Sequence, residues 1–109
     1  MEALERLYVG QTIERSDLET LLQKLRYRRS DFVSVPGEYA ERGATVDIYP
    51  VSYRAPVRLN FDLDSIVSIH DFSPHEGKTL TRFEEVLLVP VSEPFESSAS
   101  RMRSRRFSS

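Results

Sequence analysis

Cysteine and tryptophan are absent from this chain of 109 residues, glycine occurs four times and histidine twice. Each scarcity closes off a class of chemistry. Without cysteine there are no disulfides and no thiolate metal sites, and a zinc site would have to rely on carboxylates. The two histidines read as structural: His70 as a strand residue beside Asp71, His75 as a solvated turn residue. No glycine-rich phosphate loop is present, which argues against nucleotide hydrolysis by these residues. Serine is plentiful, yet no Gly-x-Ser-x-Gly elbow occurs. No apolar run approaches the roughly 20 residues of a membrane span, and residues 1–10 lack the apolar stretch of a signal peptide. A cytoplasmic location is the expectation.

What is present describes an ordinary globular domain. Apolar residues make up 39% and charged residues 29% of the chain, enough for one domain with a modest core. The formal charge of −2 conceals an asymmetry, because residues 97–109 hold four arginines and no acid. The remainder therefore carries −6. These compositions predict a folded domain over residues 1–96 and a disordered Ser/Arg-rich tail over 97–109.

Periodicity supplies the elements. Ser16-Asp17-Leu18-Glu19 has the form of a capping box, and Leu18, Leu21, Leu22 and Leu25 follow at helical spacing. The pattern predicts a helix over about 17–26 with one leucine face. Phe32, Val33 and Val35 form a β-prone run stopped by Pro36-Gly37, a pair suited to a type II turn, after which residues 38–42 could return antiparallel. Gly43 marks a bulge or sharp bend. Ala44, Val46 and Ile48 then alternate with Thr45, Asp47 and Tyr49.

Past Pro50, Val57, Leu59 and Phe61 point inward, with Arg58 and Asn60 outward. Asp62-Leu63-Asp64 suits a hairpin connection to 65–72, where the three-residue spacing of Ile66 and Ile69 implies a bulge. Residues 73–78 are turn-rich, and Val86-Leu87-Leu88-Val89 has the length of a buried strand. The fold class expected is α+β: a small, mainly antiparallel sheet of about five to six short strands with one amphipathic helix packed on it.

No catalytic, cofactor or metal constellation emerges. Asp62 and Asp64 fit a turn, and Glu84-Glu85 a solvated edge. The side chains that invite a functional reading are Arg42, Arg58, Arg29 and Tyr39, because arginine and tyrosine on a rigid strand are favoured interface anchors. Periodicity alone leaves a second reading open, in which Arg42 and Arg58 pair with Glu38 or Glu41 on the sheet surface.

An ordered series of motifs bears on that choice. Val9-Gly10-Gln11 precedes the leucine helix; Tyr27-x-Arg29-x-Asp31 follows it; then come Gly37-Glu38-Tyr39-x-x-Arg42-Gly43-x-x-Val46-Asp47-Ile48-Tyr49-Pro50 and Arg58-Leu59-Asn60-Phe61. Ser68-Ile69 and Gly77-Lys78-Thr79-Leu80 complete it. Over about residues 7–92 this series resembles the UvrA-binding domain shared by UvrB and the bacterial transcription-repair coupling factor. Pro36-Gly37-Glu38-Tyr39-Ala40 resembles the coupling factor more than UvrB.

The resemblance implies a non-catalytic protein–protein interaction module that recruits UvrA in nucleotide excision repair. It implies Arg42 and Arg58 as the main partner-binding residues, with Arg29 and Tyr39 secondary. Asn60 stands where relatives often carry an acid, which removes a charge from that surface. No cofactor is implied. The ATP-driven translocase or helicase domains of full-length relatives have no counterpart here, so the chain reads as either an excised domain or a stand-alone module. The competing reading is weak nucleic-acid binding through the arginine tail.

Overall fold

The computed structural model describes the backbone of residues 4–73 and 79–91. The expected tail, the domain boundary near residue 96, His75 and the turn around it lie outside the described residues. The leucine stripe forms helix α1 (Arg15–Lys24), and Leu18, Leu22 and Leu25 are each at most 1% exposed. Burying a leucine contributes about 1.5–3 kcal/mol, so this stripe anchors the helix.

The helix begins two residues before the position its sequence suggested, and the capping box does not form. Glu14 is the extended N-cap and makes no side-chain cap bond, while Ser16 already lies in the first turn. The amide of Ile13 donates to the Asp64 carbonyl at 2.8 Å, so the chain is tied to the sheet just ahead of the helix. The C-terminus closes with two backbone bonds, Tyr27 N–H to the Leu22 carbonyl and Arg26 N–H to the Gln23 carbonyl, both 2.9 Å. Arg26 takes the left-handed conformation this closure requires, at φ 72°.

Six strands form the main sheet in sequential order: β2 (Arg28–Arg29), β3 (Glu38–Arg42), β4 (Thr45–Ile48), β5 (Val57–Asp62), β6 (Ser65–Phe72) and β7 (Thr79–Phe83). All neighbours are antiparallel except β2 and β3, which run parallel. The architecture is α+β, as expected, but the run Phe32–Val35 is not a strand. Only Arg28 and Arg29 pair with β3, and the stretch after them folds over the sheet. The Glu38 carboxylate accepts from the Ser34 and Val35 amides at 2.9 and 3.3 Å, which takes both amides away from any ladder.

Pro36-Gly37 does turn the chain, with Gly37 at φ 96°. Gly43, at φ 59°, sits in the two-residue loop between the paired residues Arg42 and Thr45, so it is a sharp bend. The β5–β6 hairpin turns at Leu63 and Asp64, and the register shift opposite Asn60 and Phe61 leaves Val67 as the extra residue of the expected bulge.

A second, two-stranded ribbon pairs β1 (Glu5–Tyr8), which periodicity did not reveal, with β8 (Glu85–Leu88). Val86 and Leu88 are buried, whereas Leu87 is 39% exposed, so β8 has one buried face rather than two. The main core joins the helix leucines to Leu7, Tyr39, Val46, Ile48, Leu59, Phe61, Ile69 and their neighbours. On the opposite side of the sheet, Val33, Ala40 and Phe72 form a smaller cluster. Among the described residues no helix is long and apolar enough to cross a membrane.

Candidate functional site

Strand alternation sends Val46, Ile48, Val57 and Leu59 toward the helix, and it sends the intervening residues to the outer face. Register then assembles that face. Ala40 lies opposite Asp47 and Arg42 opposite Thr45, while Asp47 faces Arg58 and Thr45 faces Asn60. Arg58 in turn faces His70, which faces Arg82. Arg42, Arg58 and Asn60 therefore share one surface.

Arg58 is held firmly. Its Nε and Nη2 donate to Asp47 Oδ1 and Oδ2 at 2.8 and 3.0 Å, a forked pair of the stronger kind. The guanidinium carbon also lies 4.5 Å from the Phe72 ring centroid. Asp47 is 3% exposed, whereas the Arg58 side chain keeps 33% of its surface in solvent. Hydrogen bonding to the Asp47 carboxylate raises the Arg58 pKa above its ordinary value. The site thus buries a carboxylate in order to fix a guanidinium that remains accessible.

Arg42 is held differently. Its guanidinium carbon lies 4.8 Å from the Phe32 ring centroid, and among the described residues it has no acidic partner. Between the two arginines is a pocket of about 140 Å³ lined by Phe32, Val33, Arg42, Asp47, Arg58, Phe72 and Ser73. Asn60 is half-buried and donates to Ser68 Oγ at 2.9 Å.

The other two candidates lie elsewhere. Tyr39 pairs with Ile48 and faces the helix at 1% exposure, so it offers a partner no side-chain surface. Its hydroxyl donates to Glu19 Oε2 at 2.9 Å and accepts from Gln23 Nε2 at 3.2 Å. Arg29 donates to the same Glu19 oxygen at 2.7 Å. The Arg29 bond, then the Tyr39 bond, holds the Glu19 carboxyl below its ordinary value. Burial pushes the Tyr39 hydroxyl up. Both residues tie α1 to the sheet.

The alternative pairing of Arg42 or Arg58 with Glu38 or Glu41 does not occur. Glu38 receives Arg28 and the loop amides, and Glu41 sits beside Arg15 and Arg29. Two members of the site escaped sequence reasoning. Asp47 was visible only as an outward strand residue, because its partner depends on cross-strand register. Phe32 belongs to a β-prone run that folds as a loop, so its strand propensity hides its place beside Arg42.

Residues 6–93 match the family model described as the UvrB interaction domain. The chain is 39% identical over 84 residues to the transcription-repair-coupling factor of Escherichia coli (strain K12), covering 77% of this chain and 7% of that protein. It is 36% identical over 98 residues to the transcription-repair-coupling factor of Myxococcus xanthus, covering 90% of this chain and 8% of that protein. Similarity to the UvrABC system protein B of Kosmotoga olearia reaches 34% over 87 residues, 80% of this chain and 13% of that protein. The chain thus spans between 7% and 13% of the length of these relatives.

Proposed function

The chain belongs to the UvrB interaction domain family, and from that premise we propose that the outer face of its main sheet docks UvrA in nucleotide excision repair. One observation carries the reading. Arg42 on β3 and Arg58 on β5, the strands that flank β4, stand on a single rigid face, on the two sides of one pocket. Both project accessible donors without the flexibility of a loop, the condition under which arginine serves as an interface anchor. Asn60 extends the same surface, while Arg29 and Tyr39 support it from the helix side. The coupling-factor parentage suggested by Pro36-Gly37-Glu38-Tyr39-Ala40 is supported by the 36% and 39% identities to that protein. In that setting the module acts as a recruiting element of a DNA translocase and itself performs no chemistry.

The test is calorimetric titration of the chain with UvrA, repeated with Arg42→Ala and Arg58→Ala. Each substitution should weaken binding by about 1–3 kcal/mol. Absence of binding by the parent chain, or parental affinity in both variants, defeats the proposal.

A further inference from the structure

The two sides of the pocket are chemically unequal. On one side the charges are matched and the ring is covered: Arg58 is forked onto Asp47, and Phe72 is 6% exposed. On the other side Arg42 has no acidic partner among the described residues, and the Phe32 ring beneath it is 65% exposed. That exposure does not come from a loose loop. Ser30 Oγ donates to the Phe32 carbonyl at 2.8 Å, and Val33, the next residue, is buried against Ala40 and Phe72. Ser34 and Val35 are fastened through Glu38. The fold therefore spends several interactions on presenting an apolar ring to solvent beside an uncompensated cation.

We infer that Phe32 and Arg42 form an open half-site, completed by a protein segment that places a carboxylate on Arg42 and an adjacent apolar side chain on the Phe32 ring. The inference rests on the docking proposal and adds to it Phe32 as a recognition residue and the chemistry of the epitope. Charge complementarity sets the acid, because among the described residues that line the pocket Arg42 is the guanidinium with no counter-ion. Stacking on Phe32 orients its donors without neutralising them. Size sets the scale. A space of about 140 Å³ is comparable to the ~150 Å³ cavities that admit a benzene-sized molecule, so it takes one side chain and not a strand or helix. The charge of −6 outside the arginine tail disfavours a polyanion, which makes a segment with a single carboxylate a better fit than nucleic acid.

The experiment uses the full chain and UvrA, comparing Phe32→Ala, Phe32→Tyr, Arg42→Ala and the double variant Phe32→Ala/Arg42→Ala. Phe32→Ala should weaken binding about tenfold and Phe32→Tyr should retain it, since the tyrosine ring keeps the stack. The double variant should lose less than the product of the two single losses, as expected for side chains that act together. Leu87→Ala, on the β1–β8 ribbon outside the main sheet where the side chain is 39% exposed, should bind like the parent. If Arg42→Ala weakens binding and Phe32→Ala does not, the half-site is overturned while the docking proposal stands.

Should the parent chain fail to bind UvrA, the docking proposal falls and nuclear magnetic resonance decides the half-site separately. Millimolar acetyl-Leu-Glu-amide should shift the Arg42 Nε–H and Phe32 ring signals, and acetyl-Leu-Gln-amide should leave them in place. Silence with both peptides, or shifts at these signals with a DNA oligonucleotide instead, overturns it.

Discussion

The two faces of the six-stranded sheet each carry an arginine–carboxylate arrangement, and they use it to opposite ends. On the helix face, Arg29 and Tyr39 converge on Glu19 and tie α1 to the sheet. On the outer face, the Asp47 carboxylate converges on Arg58, and the guanidinium still keeps a third of its side chain in solvent. The ionic chemistry is the same. What differs is which partner is buried: where the acid is buried, the cation is fixed and left available, and where helix and sheet share the pair, it serves cohesion.

Substitutions can break this comparison at its strongest points. Leu22→Ala, at a site of 0% exposure, removes the contact that seats the helix and should cost about 2–5 kcal/mol in urea unfolding. Arg58→Ala leaves the buried Asp47 carboxylate without its partner and should cost about 2–4 kcal/mol, somewhat below or within the range for breaking a buried pair because Arg58 is partly solvated. Arg42→Ala strands no buried acid and should stay within about 0.5 kcal/mol of the parent in the same assay. Equal destabilisation by the two arginine variants would remove the distinction drawn between them. Asn60→Ala should lose about 0.5–1.5 kcal/mol, the worth of its bond to Ser68.

The helix face also has a pH signature. Glu19 is held below its ordinary value of 4.5, so the native state binds its proton less readily than the unfolded chain does. The stabilisation is therefore present above the unfolded-state pKa and is lost as pH falls through the lower folded value. The urea midpoint of the parent should drop across that acid range, and Glu19→Gln should flatten the drop. An unchanged slope would show that Glu19 is not the responsible group.

Local patterns foretold much of this molecule. The leucine stripe, the alternation of residues 44–49 and 57–61, the Pro36-Gly37 turn and the Val67 bulge all stand where nearest-neighbour stereochemistry put them. The capping box failed because Ile13 is tied to the β6 hairpin, a contact between residues far apart in sequence. Phe32 and Val35 failed as strand residues because the Glu38 side chain competes for their loop's amides. The ribbon strand Glu5–Tyr8 went unseen because its partner lies about eighty residues further on, and four residues give too short a pattern to register.

The order of amino acids settled which residues are apolar, which point to alternate sides of each strand, and that Arg42 and Arg58 belong to strands at all, since these depend on periods of two and 3.6 residues within one segment. Tertiary structure alone decided that Asp47 meets Arg58, that Phe32 lies under Arg42, and that Arg29 and Tyr39 face the helix instead of the outer face of the sheet. Those outcomes follow from strand register and loop placement, which are set by contacts between distant segments and leave no trace in either period.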